Sequence, residues 1–315
     1  MRDEVAIREV GMREGLQSDP TVVPTDVKIE LARTLLAAGV ESLNAAALVN
    51  PQVMPQMADA EELLEGLGPV EATVSVLVPN ARGMARALDL HAKGLVDEVH
   101  LINSMTAGVL RANGLEITVE QRMEEVAVLA DRAAAAGMRV AVFVSSAFGC
   151  SIQGSVPEDD VLRMVESLLS TEAVSEIVIS DSTGQADPGQ VSTMAERVAS
   201  LVGSFPITVH LHDSRGAGSA NALAALLSPL ENLTLDCAFG GWGGDVPFIP
   251  EAAGNLATED LCEMLFGMGI RTGIDVEKVA EASRRLSAET GRAIEAKVVA
   301  TGPVGWKHAD AGVAG

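Results

Sequence analysis

The clearest shortage in this 315-residue sequence is of aromatic side chains. Tyrosine is absent, and two Trp and six Phe give an aromatic share of only 3%. Hydrophobic residues still make up 48% of the chain, so Ala, Val and Leu must fill most of any core. A chain of this length and composition can bury a large core, and it suits one α/β barrel or two modest domains.

Basic residues are the second shortage. The chain has 22 Lys and Arg against 44 Asp and Glu, which gives a formal net charge of −22. Nucleic-acid binding needs basic stripes that neutralise phosphates, so this balance excludes nucleic acid as the expected partner. Because the chain is acidic, binding of an anionic group on a small substrate would need a nearby Arg or a bound metal ion to compensate its charge.

Cysteines and long hydrophobic runs are also scarce. Cys150, Cys237 and Cys262 have no paired or CxxC spacing, which excludes a disulfide framework and a zinc ribbon. No run of 18 or more apolar residues occurs, and residues 1–4 do not resemble a signal peptide. We therefore expect a cytoplasmic protein without a membrane partner.

Short β-branched runs alternate with helical patterns along the whole chain. The predicted strands cover residues 5–10, 40–46, 70–78, 96–102, 139–145, 175–180, 207–212 and 233–238. Helix-start signals stand at Thr25, Thr118, Ser155 and Asp187. This alternation predicts a TIM (β/α)₈ barrel over residues 1–290 with extra C-terminal helices, followed by a loosely ordered tail at 291–315. A doubly wound sheet would require a glycine-rich phosphate loop after the first strand, and no GxGxxG or Walker sequence is found there.

The sequence V-H-L-H-D at 209–213 ends the seventh predicted strand. Side chains alternate along a strand, so His210 and His212 point the same way, about 6.6 Å apart. The pair has the spacing of metal ligands, although two hydrogen-bonded core histidines would give the same pattern. The chain has only five His, and polar residues follow other strands at the same end, which favours metal binding.

Polar side chains follow most of the other predicted strands, where barrel enzymes carry their chemistry. They are Arg13, Glu14 and Gln17 after the first strand, Asn44 at the second, Asn103 and Arg111 after the fourth, Ser145 at the fifth, Asp181 after the sixth, and Asp245, Glu251 and Asn255 after the eighth. Each alone has an ordinary structural explanation, such as a surface ion pair or a loop cap. A Glu, two His and an Asn amide oxygen together suit Mg²⁺ or Mn²⁺, with Co²⁺ or Zn²⁺ as further candidates.

Such a set of ligands favours cleavage of a carbon–carbon bond. A divalent ion can hold the hydroxyl and carbonyl oxygens of a β-hydroxy carbonyl substrate and withdraw charge from them. Arg13, fixed beside the ion, would stabilise the developing enolate. Retro-aldol or retro-Claisen cleavage also needs a base for the hydroxyl and an acid for the enolate carbon.

Several motifs, in order from about residue 5 to 290, resemble the 3-hydroxy-3-methylglutaryl-CoA lyases of the DRE-TIM metallolyase superfamily. They are R-E-G-L-Q (13–17), N-P-Q-V-M-P-Q-M-A-D (50–59), S-S-A-F-G-C (145–150), S-D-S-T-G (180–184), H-L-H-D (210–213) and A-A-G-N-L-A-T-E-D-L (252–261). The resemblance implies a TIM barrel that binds a divalent metal and forms a homodimer. It implies His210, His212, Asn255 and Glu14 as ligands, Arg13 as the enolate-stabilising residue, and Asp181 as a further catalytic residue.

The sequence departs from the family at three positions that matter for catalysis. Glu14 replaces the family's Asp ligand, and Asn44 opens an alanine run where the family reads E-x-T-S. Asp245 follows Gly243-Gly244 where the lyases carry G-G-C with the catalytic cysteine. We therefore expect an altered substrate, with Asp245 (or Glu251) handling the proton, because a buried carboxyl group can serve as a general acid.

Substrate contacts are assigned to Asn44, Gln17, Asn103, Ser145 and Arg111. Arg111, like Arg215, is also a candidate contact for CoA phosphates, and whether the substrate carries CoA is left open. Two alternatives to an altered lyase remain: an authentic hydroxymethylglutaryl-CoA lyase, and a non-catalytic metal-binding paralogue. A condensing synthase is the weakest interpretation, because no further domain follows the barrel.

Overall fold

Eight parallel strands form a closed barrel in the computed structural model, which describes residues 2–244 and 254–304. The strands are β1 (Ala6–Glu9), β2 (Ser42–Ala47), β3 (Thr73–Leu77), β4 (Glu98–Ser104), β5 (Arg139–Ser145), β6 (Glu176–Asp181), β7 (Ile207–Leu211) and β8 (Leu233–Cys237). Each strand pairs with the next, and β8 pairs with β1 with Ile7 opposite Leu235. The predicted TIM barrel is confirmed.

Helices follow the strands and surround the barrel. In the described part of the chain they are α1 (Glu14–Gln17), α2 (Thr25–Ala37), α3 (Ala60–Leu67), α4 (Ala81–Ala92), α5 (Ala107–Ala112), α6 (Val119–Ala135), α7 (Glu158–Leu169), α8 (Pro188–Val202), α9 (Gly218–Leu226), α10 (Thr258–Gly267), α11 (Val276–Thr290) and α12 (Lys297–Thr301). In α6, Val126, Leu129, Ala130 and Ala133 recur at helical spacing and are buried. Such faces pack on the outer side of the strands and, as the composition requires, build a core from small aliphatic side chains.

Two of the four predicted helix-start signals are correct. Thr118 and Asp187 each form a full capping box, with Gln121 and Gln190 as the reciprocal partners. Thr25 is not a cap: it is the first helical residue, and its hydroxyl donates to Asp59 at 2.7 Å. The prediction at Ser155 is also wrong: α7 begins at Glu158 with Pro157 as its N-cap, because a proline disfavours a helical backbone at the residue before it, here Val156.

The chain beyond α11 returns to the loop that follows β8. The Trp242 indole N–H donates to the Ala293 carbonyl at 2.8 Å, and the Arg292 guanidinium donates to the Gly243 carbonyl at 2.8 Å. The short helix α12 follows, and residues 305–315 lie outside the described residues. The division of the chain at residue 290 stays a prediction.

The described helices include none with the length and apolar character that a membrane crossing requires. The cytoplasmic location and the homodimer expected from the sequence stay predictions.

Glu9, at the end of β1, ties the site-bearing end of the barrel together. Its buried carboxyl group accepts the backbone N–H groups of Gly11 at 2.7 Å and Phe239 at 3.0 Å, and the hydroxyl of Thr258 at 2.6 Å. Burial raises the pKa of Glu9 to about 8, and the nearby Glu259 carboxylate adds to this, against the opposite effect of the hydrogen bonds. The loops after β1 and β8 and the start of α10 therefore share one buried carboxyl group.

This raised pKa predicts a pH dependence of stability. As the pH rises from the ordinary pKa of 4.5 towards about 8, the unfolded chain loses the Glu9 proton while the folded protein keeps it. The free energy of unfolding should fall across that window by on the order of 1 kcal/mol per pH unit, and Glu9→Gln should remove that part of the slope. Urea unfolding of both proteins between pH 5 and 8 measures it. The exposed Glu4→Gln is the control, and parallel curves for wild type and Glu9→Gln would contradict the prediction.

Candidate active site and metal centre

His210 and His212 at the end of β7 turn their imidazole rings towards the same side, as strand alternation predicts. Their Nε2 atoms lie 3.2 Å apart, and the side chains are 2% and 5% exposed. Both Nε2 atoms approach one carboxylate oxygen, Glu14 Oε2, at 3.5 and 3.7 Å. The three residues form the group of possible metal ligands found in the described part of the chain, with one donor atom each within 4.8 Å of the others.

Glu14 is the first residue of α1, which follows the loop after β1. The carboxylate is buried and is held by Arg13, whose guanidinium lies 2.5 Å from Glu14 Oε1. Asn255 approaches from the loop after β8 and donates its amide N–H to Glu14 Oε2 at 2.7 Å. A backbone bridge between His212 and Asn255 fixes this loop against β7. Four predicted ligands thus meet, although 241 positions separate Glu14 from Asn255.

Charges within the group shift the pKa values of its members. Burial alone would raise the pKa of Glu14, but Arg13, His210 and His212 together hold it well below its ordinary value. Burial would lower the pKa of His210, yet the Glu14 and Asp236 carboxylates outweigh it and raise that pKa to about 9. Burial and the positive charge of His210 lower the pKa of His212 to about 4. The Glu14 carboxylate is therefore ionised.

The side chains fit a divalent cation. Glu14 Oε2 and the two Nε2 atoms already face one another, and the buried amide oxygen of Asn255 has no hydrogen-bond partner among the described residues. An unpaired buried acceptor is costly, and a cation would satisfy it. Imidazole, carboxylate and amide donors together suit Mg²⁺, Mn²⁺, Co²⁺ or Zn²⁺, and the geometry does not select among them.

Asn44 holds Arg13 in place. Its amide oxygen accepts the Arg13 Nε–H at 2.8 Å, and its amide N–H points to the carbonyl and hydroxyl of Ser75 at 3.1 and 3.2 Å. A register shift between Asn44 and Ala46 marks a bulge in β2 at this contact. Both ends of the Asn44 amide are therefore occupied, and its contacts position Arg13. Its assignment to substrate binding stays a prediction.

Asp181 and Ser145 lie at the same end of the barrel and bond to neighbouring loop groups. Both Asp181 oxygens accept backbone N–H groups of the loop after β6, from Gln185 at 2.9 Å and Ala186 at 3.0 Å. Burial raises the pKa of Asp181 against these bonds. The Ser145 hydroxyl lies 2.8 Å from that of Ser182. Asp181 thus shapes its loop, and its catalytic assignment stays a prediction.

Asn103, Arg111 and Gln17 have no hydrogen bond or ion pair with the metal group among the described residues. The Asn103 amide points to the sulfur atoms of Met123 on α6 and Met164 on α7, so it faces the surrounding helices. Arg111 is exposed on α5, and the half-buried Gln17 ends α1 with its amide oxygen unpaired among the described atoms. Asp245 and Glu251 lie outside the described residues. Their substrate-binding and proton-handling roles stay predictions.

All three cysteines are buried, and none lies in the metal group. The sulfur of Cys237 lies 3.1 Å from the Thr258 hydroxyl oxygen, and burial together with the Glu9 carboxylate raises the pKa of this thiol well above its ordinary value. Burial also raises the pKa of Cys262 to about 12. Cys237 is therefore a neutral core thiol rather than a substitute for a catalytic cysteine.

Sequence reasoning missed the residues that support the site from below. Asp236 on β8 accepts from His210 Nδ1 at 2.9 Å and is itself bound by Arg8 on β1. The sequence did contain a signal, because charged residues stand inside otherwise apolar strands. An unpaired buried charge is very costly, so such residues should pair with one another. Which strands would pair those charges could not be read from spacing alone.

Comparisons with known proteins show the family to which the chain belongs. The family model described as HMGL-like matches residues 4–286. The (R)-citramalyl-CoA lyase of Chloroflexus aurantiacus is 35% identical over 313 residues, 96% of either chain. The mitochondrial hydroxymethylglutaryl-CoA lyase of Mus musculus is 35% identical over 296 residues, 94% of this chain and 88% of that protein.

A solved structure is similarly close. The HMG-CoA lyase from Acinetobacter baumannii in complex with coenzyme A and 3-methylmalate superimposes with a TM-score of 0.88 at 33% identity, over 96% of both chains. These relatives are carbon–carbon lyases. The chain therefore belongs to the HMGL-like family, which confirms the relationship predicted from its motifs.

Proposed function

We propose that this chain is a divalent-metal-dependent carbon–carbon lyase that cleaves a 3-hydroxyacyl-CoA thioester into a shorter acyl-CoA and a carbonyl compound. The convergence of Glu14, His210 and His212 beside Arg13 carries the proposal. The names of the relatives, and the coenzyme A bound in the Acinetobacter structure, support a CoA thioester as substrate. The buried ligand group argues against a non-catalytic paralogue.

The proposed reaction breaks the bond between C2 and C3 of the acyl group. The C3 hydroxyl gives up its proton to a base and becomes the carbonyl of one product. The electron pair of the broken bond moves into the thioester as an enolate, which takes a proton at C2 and leaves as the acyl-CoA. When bound, the divalent ion withdraws charge from the hydroxyl and carbonyl oxygens of the substrate.

Arg13 would stabilise the enolate oxygen. Its guanidinium is held by Asn44 through Nε and by Glu14 through a terminal nitrogen, and its side chain is buried. A fixed cation in a site that excludes water stabilises a developing negative charge without reorganising when the charge forms. The ligand group and the enolate-stabilising residue thus adjoin in the chain and in space.

We further propose that the substrate differs from hydroxymethylglutaryl-CoA and that Asp245 moves the proton, with Glu251 as the alternative. The described cysteines are buried core residues, which supports a carboxyl group in this role. Arg111, exposed on the helix that follows β4, is the proposed contact for CoA phosphates.

Activity should require both a CoA thioester and a divalent ion. We expect the wild-type protein with Mn²⁺ to cleave one of a panel of 3-hydroxyacyl-CoA thioesters that includes citramalyl-CoA, with hydroxymethylglutaryl-CoA cleaved poorly. A chelator, or Glu14→Gln, should abolish turnover, while Glu65→Gln in the exposed ion pair with Lys93 should not change it. Release of free acyl-CoA is the assay. Full turnover in the chelator-treated protein would contradict the proposal.

Replacement of Arg13 by lysine should impair chemistry more than metal binding. Arg13→Lys keeps a positive charge but cannot contact Asn44 and the enolate oxygen together, so kcat should fall about 10²- to 10³-fold. Binding of Mn²⁺, followed by electron paramagnetic resonance, should stay close to that of the wild type. A kcat within threefold of wild type would show that Arg13 does not stabilise the reacting charge.

Asp245→Asn tests the origin of the proton. The amide keeps the shape of the side chain but cannot exchange a proton, so turnover should be lost while Mn²⁺ still binds. Glu251→Gln is the matched comparison, and it should retain activity if Asp245 is the proton-handling group. Full activity of Asp245→Asn would assign the proton transfer to another residue.

A further inference from the structure

The interior of the barrel below the histidine pair holds an unusual concentration of charge. Arg8, Glu98, His100, Glu176 and Asp236, here called the Arg8 cluster, lie on β1, β4, β6 and β8. Arg8 is 1% exposed, and its guanidinium contacts the other four side chains at 2.8 to 3.5 Å. Barrel interiors are usually filled by branched aliphatic side chains, so this cluster calls for a physical explanation.

Asp236 links the cluster to the metal group. Its Oδ1 accepts the Arg8 Nε–H at 2.8 Å, and its Oδ2 lies 3.2 Å from Arg8 Nη2 and 2.9 Å from His210 Nδ1. The strand register places Asp236 directly beside His210 on the neighbouring strand. A carboxylate only accepts, so Nδ1 of His210 carries a hydrogen, and loss of the proton at Nε2 leaves the lone pair of that atom for a cation.

Arg8 also restricts where the Asp236 carboxylate can turn. A guanidinium presents its donors as a rigid fork, and here two of them meet the two carboxylate oxygens. On its far side the guanidinium also donates to Glu176 at 2.8 Å. The Phe143 ring packs against both Arg8 and His210, each at 5.7 Å, and limits rotation of the imidazole from below.

The second histidine lacks such a support. The Nδ1 atom of His212 is buried and has no hydrogen-bond partner among the described residues. Among the described residues, a carboxylate therefore meets Nδ1 of His210 but not Nδ1 of His212. Partners that orient a metal-binding histidine commonly change metal affinity about 10- to 100-fold when they are replaced.

We propose that Arg8 and Asp236 act as a positioning pair that fixes the ring of His210 for metal binding. This inference rests on the proposed metal site. The buried charges of Arg8 on β1 and Asp236 on β8 then serve metal binding as well as stability. Glu98 and Glu176 compensate the remaining charge of Arg8.

Asp236→Asn should weaken Mn²⁺ binding about 10- to 100-fold, because an amide in either orientation does not hold the imidazole as a carboxylate does. Arg8→Lys keeps the charge but loses the fork, and it should weaken binding by a smaller factor, about 3- to 10-fold. Glu176→Gln is the matched control: it changes the far side of Arg8 and leaves both contacts of Asp236 intact, so its affinity should match that of the wild type. Titration of the full chain with Mn²⁺, followed by electron paramagnetic resonance, measures the affinities.

The absorption spectrum of the Co²⁺-loaded proteins separates positioning from stability. At saturating Co²⁺ the visible bands should shift in Asp236→Asn and stay unchanged in Glu176→Gln. If the role of the pair is purely structural, both variants should have a lower melting temperature, and neither the bands nor the metal affinity should change. If Asp236→Asn does not fold, Arg8→Lys decides the test. If Asp236→Asn and Arg8→Lys both keep the affinity and spectrum of the wild type, the positioning pair is overturned and the proposed function is not affected. Failure of the wild-type protein to bind either ion would instead overturn the proposed function.

Discussion

The burial of the Glu14 carboxylate is the constraint on which the rest of the site depends. An ionised carboxylate away from water is tolerated only when partners compensate its charge. Here Arg13, His210, His212 and Asn255 all approach it. Closure of the barrel makes this possible, because it places β1 directly beside β8, with β7 as the next strand. Groups from the two ends of the chain thereby surround one carboxylate.

The same closure explains why the chemistry is held rigidly. Arg13 is fixed by a strand residue, Asn44, and Asn255 is held to β7 by a backbone bridge. His210 is supported from below by Asp236 and Arg8. Electrostatic stabilisation of a transition state requires such preorganised groups. The site therefore combines loop residues with residues whose positions are set by the sheet.

Much of this architecture could be predicted from the sequence, because the determining signals are local. The β-branched runs gave all eight strands, and strand alternation gave the common direction of His210 and His212. The capping boxes at Thr118 and Asp187 involve residues three apart. The predicted helix starts were wrong where a proline followed the expected cap, or where the side chain of the expected cap bonds to a distant residue. The hydroxyl of Thr25, for example, donates to Asp59.

Contacts between distant strands could not be predicted in the same way. Asn103 is a polar residue near a strand end, as site residues often are, but its side chain points to the surrounding helices. Which face of β4 points into the barrel is known only from the closed structure. Asn44 lies inside β2 rather than at its end as expected, and its bonds to Arg13 and Ser75 leave the amide fully occupied. The pairing of Arg8 with Asp236 joins residues 228 positions apart. Such pairings depend on barrel closure and register rather than on any local pattern.

Anomalous X-ray diffraction from crystals grown with Mn²⁺, recorded on both sides of the manganese absorption edge, shows directly whether the side chains around Glu14 bind a metal ion. We expect one strong anomalous peak per chain that contacts Glu14, His210, His212 and Asn255. A map without a peak at these four side chains, or with manganese bound only elsewhere, would contradict the proposed metal site.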